Sequence, residues 1–236
     1  MTPDEQKRLA AAEALKLVEP GMTLGLGTGS TAALFVDLLG VRVREGLAIK
    51  GVPTSEGTRT RAAAAGISLI EPDETTIIDL AVDGTDEVDM ALNLIKGGGG
   101  ALLREKIVAS AAARFVVIAD RSKRVAHLGA FPLPVEIDRF AVGLTVRRVR
   151  EALAAMGLAG EIRLRVKPGD RAPFVSDGGH FILDCRLGRI ASPAELDVAL
   201  KSIAGVVETG LFVGLASLVI LGGPDGVEKM TAPRTA

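Results

Sequence analysis

Short apolar runs, separated by segments long enough for a helix, recur through the first half of the chain and limit the folds open to it. We predict strands at residues 22–26, 49–53, 67–70, 78–82 and 115–119. Strands that are apolar on both faces need helices on both sides, as in parallel α/β sheets. The sequence therefore predicts an α/β fold built on a Rossmann-like parallel sheet flanked by helices.

Several helix ends carry recognisable signals. Residues 2–5 (TPDE) have the pattern of a capping box with proline in the first turn, and residues 192–195 (SPAE) repeat it. Gly40 follows an apolar run and is expected to end the helix there. A further helix is predicted over residues 100–113, directly after a run of glycines.

The pattern changes after about residue 132. The predicted elements are a strand at 135–137, a helix at 144–156, a strand at 161–166, a hairpin of 174–176 with 181–185, a helix from 193 that ends at Gly205, and a strand at 206–212. A β-α-β-β-α-β order is typical of a ferredoxin-like α+β unit. A strand at 218–221 is expected to return to the first sheet.

These patterns predict two domains. Residues 1–131 and 208–236 are expected to form the Rossmann-like catalytic domain. Residues 132–207 are expected to form a small ferredoxin-like α+β domain, inserted before the last strand of the larger one.

Charge and aromatic content argue against a nucleic-acid partner. Lys plus Arg number 28 and Asp plus Glu number 29, which gives a net charge of −1. Nucleic-acid binders usually carry a basic patch and a high isoelectric point. Aromatic residues make up 3% of the chain, with no Trp or Tyr, so stacking of bases on aromatic rings is not expected.

The sequence also argues against membrane insertion and metal binding. The longest strongly apolar run, 211–221, is about half of the roughly 20 residues needed to span a bilayer, and the N-terminus lacks the apolar stretch of a secretory signal. Cys185 is the only cysteine, which is typical of a reducing compartment. His127, His180 and Cys185 are too far apart in sequence for the usual zinc spacing. We expect a cytoplasmic protein without membrane contact, metal or cofactor.

Three polar clusters each follow a predicted parallel strand: residues 27–31 (GTGST), 83–86 (DGTD) and 120–123 (DRSK). In open α/β sheets, ligands bind at the carboxyl ends of the strands, near the point where the strand order reverses. The carboxyl ends of these strands are therefore the predicted binding site.

The first cluster suits a phosphate group. In residues 25–31 (GLGTGST), Ser30 stands where a dinucleotide-binding loop has its third glycine, and no Gly-Lys-Ser/Thr makes it a P-loop. The loop offers backbone N–H groups at a helix start and neighbouring hydroxyls, a suitable cradle for one phosphate. A tight turn with a helix cap is the alternative. Lys123 could neutralise such a phosphate.

The second cluster and the glycine run after it suit proton transfer. Residues 83–89 (DGTDEVD) carry four carboxylates, which could bind a divalent cation, although EF-hand spacing is absent and solvated turn acids are an alternative. Lys96 precedes four consecutive glycines, which are costly to order unless a ligand approaches their amides. With Glu105 on the next helix, these groups suit proton abstraction beside a carbonyl and stabilisation of an enediolate.

The ordered set of motifs resembles A-type ribose-5-phosphate isomerase. The motifs that carry the resemblance are GLGTGST, DGTDEVD, KGGGGALLREK, IADRSK, VSDGGHFILD, GVVETGLF and GGPDGV. The resemblance covers essentially the whole chain. It implies interconversion of D-ribose 5-phosphate and D-ribulose 5-phosphate through an enediolate, in the non-oxidative pentose phosphate pathway, without metal or cofactor. It also implies a homodimer or homotetramer. Gly100 departs from the family pattern, which has alanine there, and SDGGH stands where TDNGN is commoner.

The same resemblance implies roles for single residues. Glu105 would be the base that moves the proton between C1 and C2 of the sugar. Asp83, Asp86 and Lys96 would contact O1, O2 and the ring oxygen, assisting ring opening and stabilising the enediolate. The implied substrate-binding residues are Lys7, Thr28, Gly29, Ser30, Thr31, Gly84, Thr85, Gly97, Gly98, Gly99 and Lys123.

Two other functions are alternatives to the isomerase. A non-catalytic sugar-phosphate-sensing domain would need the phosphate cradle but not a base paired with acids and a lysine, and no residues are spare for the DNA-binding or partner module that a sensor normally carries. A metal-dependent phosphosugar hydrolase that uses the acidic loop would lack histidine ligands. The sequence therefore favours an aldose–ketose isomerase.

Overall fold

The computed structural model describes residues 1–167 and 169–231. Its helices are α1 (Pro3–Leu15), α2 (Ser30–Arg44), α3 (Glu56–Ala64), α4 (Leu102–Ala111), α5 (Val142–Ala155) and α6 (Pro193–Lys201). Its strands are β1 (Thr23–Leu26), β2 (Lys50–Pro53), β3 (Ser68–Leu69), β4 (Leu80–Asp83), β5 (Glu87–Val88), β6 (Leu94–Ile95), β7 (Phe115–Asp120), β8 (Leu133–Ile137), β9 (Glu161–Leu164), β10 (Phe181–Arg186), β11 (Val206–Thr209), β12 (Leu211–Phe212), β13 (Leu218–Gly223) and β14 (Gly226–Thr231).

The chain divides into two compact units. Unit 1 comprises Met1–Thr85, Arg104–Lys123 and the described residues from Gly214 onward; unit 2 comprises Asp86–Leu103 and Arg124–Val213. Residues 86–103, 124–131 and 208–213 thus belong to unit 2, although the boundaries predicted from the sequence assign them to the larger domain. The domains of 1–131 with 208–236 and of 132–207 stay predictions, and residues 232–236 lie outside the described residues.

Seven strands form the sheet of unit 1, in the order β14-β13-β7-β4-β1-β2-β3. β14 runs antiparallel to β13, and the other neighbouring pairs are parallel. Every residue of β4 and β7 is buried, as expected for apolar strands covered on both faces. The Rossmann-like sheet flanked by helices is confirmed.

Two strands, not one, follow unit 2 along the chain. The strand predicted at 218–221 is β13, which pairs with β7 as expected. β14 was not predicted, and it follows β13 as an antiparallel hairpin partner at the edge of the sheet. Its residues are mostly exposed or half-buried, so its sequence lacks the apolar run that marks the central strands.

The predicted helix ends are partly right. Thr2 and Glu5 form the capping box at the start of α1, since Thr2 N donates to Glu5 Oε2 at 2.7 Å and Glu5 N donates to Thr2 Oγ1 at 3.3 Å. The capping box predicted at Ser192 is wrong, because the side chain of Ser192 makes no capping hydrogen bond with α6. Gly40 does not end its helix either, since α2 continues to Arg44. A Cβ on Gly40 would lie 2.6 Å from the Cβ of Ala65, so close packing requires this glycine.

Unit 2 contains a four-stranded antiparallel sheet in the order β11-β8-β10-β9. Along the chain its elements run β8-α5-β9-β10-α6-β11, which confirms the ferredoxin-like arrangement. The predicted hairpin is wrong in its first arm: residues 174–176 form no strand, and β10 pairs with β9 and β8 instead. The turn itself is present, because Ser176 N donates to His180 O at 2.9 Å.

A second sheet of unit 2, in the order β12-β6-β5, was not predicted. Each of its strands has two residues, too few for a periodic pattern. The strand predicted at 206–212 is divided between the two sheets at Gly210. A Cβ on Gly210 would overlap the carbonyl oxygen of Lys96 and the ring of Pro134, so the chain can turn between the sheets only with glycine there.

The longest apolar run, 211–221, does not form one long element, and its residues pack in two different hydrophobic cores. Leu211 packs in the core of unit 2, and Ile220 packs in the core of unit 1. Across residues 1–167 and 169–231, no helix combines the length and the apolar character needed to cross a membrane.

The single cysteine gives a first testable expectation. Cys185 lies on β10 and is fully buried in the core of unit 2, and burial, with a smaller effect of Asp184, raises the pKa of its thiol to about 12. Since the thiolate is the reactive form, Ellman's reagent at pH 8 should modify Cys185 only after unfolding in guanidinium. Fast modification of one thiol by a protein that keeps its native circular dichroism would contradict this.

The raised pKa of Cys185 also determines how the stability of the protein changes with pH. The thiol of an unfolded cysteine has a pKa of about 8.5, whereas the folded thiol of Cys185 has a pKa of about 12. Unfolding therefore releases a proton between these values, and the contribution of Cys185 to the free energy of unfolding falls as the pH rises through that window.

Candidate active site

The loop after β1 connects the sheet of unit 1 to the start of α2. Gly29 precedes α2 with φ at 102°, in the left-handed region that favours glycine. Ser30 is exposed at the first helical position, and Thr31 is 8% exposed. Thr28 N donates to Asp83 Oδ1 at 3.0 Å, which ties this loop to the end of the neighbouring strand β4.

The N-terminus of α2 is suited to an anion. Among the described residues no side chain caps this helix, so the N–H groups of its first turn are available to a ligand. The helix dipole adds a positive partial charge at the same point. These properties agree with the phosphate cradle that the sequence predicted at residues 28–31.

The hydroxyl of Thr28 lies in a group of hydroxyls that the sequence analysis missed. Thr28 Oγ1 is 2.9 Å from Thr54 Oγ1, 2.8 Å from Ser55 Oγ and 3.1 Å from Thr58 Oγ1. Residues 54 and 55 directly follow β2, the neighbour of β1. The other clusters were identified as polar residues that follow a parallel strand, and residues 54 and 55 follow β2 in the same way.

Asp83 and Glu105 lie together in unit 1. Asp83 and Glu105 are buried, at 3% and 5% exposure, and with Gly27 and Thr54 they border one internal gap that is too narrow to hold a water molecule. Asp83 Oδ1 accepts hydrogen bonds from Thr28 N and, at 2.7 Å, from Gly84 N. A Cβ on Gly27 would overlap this carboxylate, so glycine at position 27 lets the acid lie against the loop.

Glu105 is positioned by the first turn of α4. The structure thus brings the predicted base together with one predicted acid, Asp83, and with the loop at Thr28. Gly84 is buried and Thr85 half-buried, directly after β4.

The two predicted phosphate lysines are in different elements of unit 1. Lys7 lies on α1, and its Nζ is 3.1 Å from Asp4 Oδ1. Lys123 ends a single 3₁₀ turn after β7 and is half-exposed. Within the described residues, neither lysine forms a hydrogen bond or an ion pair with residues 28–31, so contact with a phosphate stays a prediction for both.

The remaining predicted residues belong to unit 2. Asp86 is half-buried, and its Oδ2 accepts a hydrogen bond from Gly98 N at 2.8 Å. Lys96 is 2% exposed, with its Nζ 5.4 Å from the ring centre of Phe212. Gly97 has φ at 101° and accepts a hydrogen bond from Gly100 N at 3.0 Å. Gly98 and Gly99 are exposed, and their contact with a substrate stays a prediction.

The four carboxylates of segment 83–89 have different structural roles. Glu87 accepts hydrogen bonds from Gly129 N at 2.7 Å and Phe131 N at 2.6 Å. Asp89 accepts from the backbone of Ala91 and Asn93. Two of the four carboxylates therefore hold loops of unit 2, and the part of the chain that the structure describes contains no group of three His, Cys, Asp or Glu suited to a metal ion.

Comparisons with known proteins show which family the chain resembles. The family model described as ribose 5-phosphate isomerase A (phosphoriboisomerase A) matches residues 50–226. The chain is 57% identical over 233 residues to the ribose-5-phosphate isomerase A of Rhodopseudomonas palustris (strain BisB18), covering 99% of this chain and 100% of that protein.

Solved structures show the same similarity. A D-ribose-5-phosphate isomerase in complex with phospho-erythronic acid has a TM-score of 0.91 at 39% identity, covering 98% of this chain and 100% of that chain. The ribose 5-phosphate isomerase A of Methanocaldococcus jannaschii has a TM-score of 0.88 at 42% identity, again covering 98% of this chain and 100% of that chain.

Proposed function

The chain belongs to the ribose 5-phosphate isomerase A family, and we propose that it interconverts D-ribose 5-phosphate and D-ribulose 5-phosphate with Glu105 as the base. One observation carries the assignment of the base. The buried residues Glu105 and Asp83 are neighbours that border the same internal gap, and Asp83 is hydrogen-bonded to the loop that precedes the uncapped N-terminus of α2. A proton acceptor and an anion site therefore lie in the same part of unit 1.

The reaction needs one proton moved between adjacent carbons. Glu105 removes the proton from C2 of the open-chain aldose, and the electron pair of that bond forms the C1–C2 double bond of the enediolate while O1 takes the negative charge. The proton on O2 passes to O1, and return of the first proton to C1 then gives the ketose, with a C2 carbonyl and a C1 hydroxyl group. A carboxylate fixed on a helix can serve both steps, because the two carbons are neighbours.

The other predicted residues act on the oxygens of the sugar. We assign Asp83, Asp86 and Lys96 to O1, O2 and the ring oxygen, where a carboxylate accepts a proton during ring opening and the ammonium group of Lys96 stabilises the enediolate. The relative described with phospho-erythronic acid binds a molecule that carries a phosphate and a carboxylate. Those two groups resemble the phosphate and the paired oxygens of the enediolate.

The phosphate contributes binding rather than chemistry in this proposal. The loop at residues 28–31 supplies N–H groups and hydroxyls, and Lys7 and Lys123 supply positive charge. A homodimeric or homotetrameric state and a cytoplasmic location stay predictions.

Lys123 tests the phosphate assignment. A contact with the phosphate is made equally in the ground state and the transition state, so its loss should raise KM and leave kcat nearly unchanged. We expect Lys123→Ala to raise KM for ribose 5-phosphate by about 10-fold, the effect of losing one exposed charged hydrogen bond. Initial-rate kinetics measure both constants. A normal KM in this variant would remove Lys123 from the site.

A direct assay tests the function itself. The purified protein should convert ribose 5-phosphate to ribulose 5-phosphate, and dialysis against EDTA should leave turnover unchanged. Binding of ribose 5-phosphate without conversion would support the sugar-phosphate sensor instead. Loss of turnover in EDTA, restored by one divalent cation, would overturn the metal-independent mechanism.

A further inference from the structure

One arginine of unit 2 joins the small sheet to the glycine loop (residues 97–100). Arg165 follows directly after β9, and its Nε and Nη2 donate to Asp184 Oδ2 and Oδ1 at 3.0 and 2.5 Å. Its third nitrogen, Nη1, donates to the carbonyl oxygens of Gly97 at 2.8 Å and Gly98 at 3.2 Å. The guanidinium thus binds a carboxylate on one edge and the backbone of the loop on the other.

Both partners of this pair are held firmly. Arg165 N donates to Ile182 O, and Arg165 O accepts from Phe174 N, each at 2.8 Å. The side chains of Arg165 and Asp184 are 13% and 26% exposed, and the guanidinium lies 5.9 Å from the ring centre of Phe174. A planar guanidinium paired with a carboxylate through two hydrogen bonds has little freedom to rotate.

The contacts to the two carbonyls determine which way the loop N–H groups point. In a planar trans peptide the C=O and the next N–H point in opposite directions. Since the carbonyl of Gly97 points to Arg165, the N–H of Gly98 points away from it, and that N–H donates to Asp86 Oδ2 at 2.8 Å. The carbonyl of Gly98 likewise fixes the N–H of Gly99, an exposed residue of the loop.

We propose that Arg165 and Asp184 are positioning residues, which hold the glycine loop and, through Gly98, orient the carboxylate of Asp86 for the reaction. This inference rests on the proposed function, in which Asp86 contacts the oxygens of the sugar. Glycines have no side chains to hold a loop in one conformation, so the orientation of this loop depends on groups that bind its backbone.

Lysine is the informative replacement for arginine. It keeps the positive charge and can still pair with Asp184, but a single ammonium group cannot bind both carboxylate oxygens and both carbonyls in one plane. We expect Arg165→Lys to lower kcat about 10–100-fold, because a displacement of about 1 Å in a catalytic group has effects of that size. The inhibition constant for inorganic phosphate should stay at its wild-type value. Asp184→Asn should act in the same direction.

A double-mutant cycle with Asp86→Asn tests the route of the effect. If Arg165 acts through Asp86, then Arg165→Lys should lower kcat less than about 3-fold further in the Asp86→Asn background, because coupled residues are not additive. Arg186→Ala is the matched control: Arg186 lies on the same strand as Asp184 but is 62% exposed, and its loss should leave kcat unchanged. Thermal unfolding of each variant shows whether the fold is intact.

Three results would overturn the proposal. They are a wild-type kcat in a folded Arg165→Lys variant, an equal effect of Arg165→Lys with and without Asp86, or loss of the folded state in both Arg165→Lys and Asp184→Asn, which would assign the pair to stability alone. An inactive wild-type protein would instead contradict the proposed function, so the two failures are distinguishable.

Discussion

Replacing Glu105 with glutamine should lower kcat for ribose 5-phosphate by about 10²–10⁴-fold, the usual contribution of a general base. Glutamine keeps the size of the side chain and can still form hydrogen bonds, but its amide cannot take a proton from carbon. Glu105 is 5% exposed, so solvent cannot readily replace it. KM should change little, because the phosphate loop is untouched.

Two further measurements separate chemistry from damage to the fold. Exchange of the C2 proton of the substrate with solvent deuterium should fall in parallel with kcat, since both need the same proton abstraction. Glu56→Gln is the matched control: Glu56 is a surface carboxylate of unit 1 that pairs with Arg104 at 2.7 Å, the residue before Glu105. That variant should keep wild-type kcat. Near-normal turnover in Glu105→Gln would remove Glu105 from the mechanism.

The central sheet could be predicted because its strands are buried on both faces. Every residue of β4 and β7 is buried, and strands buried on both faces appear in the sequence as continuous apolar runs. β5 and β6 show no such run, because each has two residues and is defined by its pairing partners. The edge strand β14 was not predicted for a related reason: most of its residues are exposed or half-buried, so it contains no apolar run.

The site was predictable where polar residues follow a parallel strand. Residues 27–31 and 83–86 were found in this way, and Thr28 and Asp83 are indeed hydrogen-bonded to each other. Arg165 and Asp184 could not be found by the same rule, because Arg165 directly follows β9 and Asp184 lies on β10, which are strands of a different sheet. Arg165 contacts glycine residues that lie 68 and 67 positions away in the sequence, so no local pattern predicts the contact.

Gly100 shows how a departure from the family pattern can have a local cause. The resemblance led us to expect alanine at this position. In the structure Gly100 has φ at 82°, and a Cβ there would lie 2.5 Å from the ring of Phe174. Both the backbone and the neighbouring ring therefore exclude a side chain at position 100, while the same ring packs beside Arg165. The structure accounts for glycine here through packing rather than through chemistry.

Asp83→Asn should lower kcat by about 10²-fold or more, the contribution expected of a group that accepts a proton during the reaction, while the fold stays intact. Asp83 Oδ1 accepts two backbone hydrogen bonds, from Thr28 N at 3.0 Å and from Gly84 N at 2.7 Å. An asparagine oxygen in that place can accept both, so the loop at Thr28 keeps its support. What asparagine cannot do is take the proton of O1 when the sugar ring opens.

Asp83→Ala separates this chemical role from a structural one. Alanine removes the oxygen that accepts both of these hydrogen bonds, and the loss of a buried hydrogen-bond partner costs about 1–3 kcal/mol. The melting temperature of Asp83→Ala should therefore fall by several degrees, whereas Asp83→Asn should melt at the wild-type temperature. If Asp83 served only to hold the loop, Asp83→Asn would keep its activity and only Asp83→Ala would lose it. If its charge is needed for ring opening, both variants lose activity and only alanine loses stability, and kcat measured beside thermal unfolding distinguishes the two.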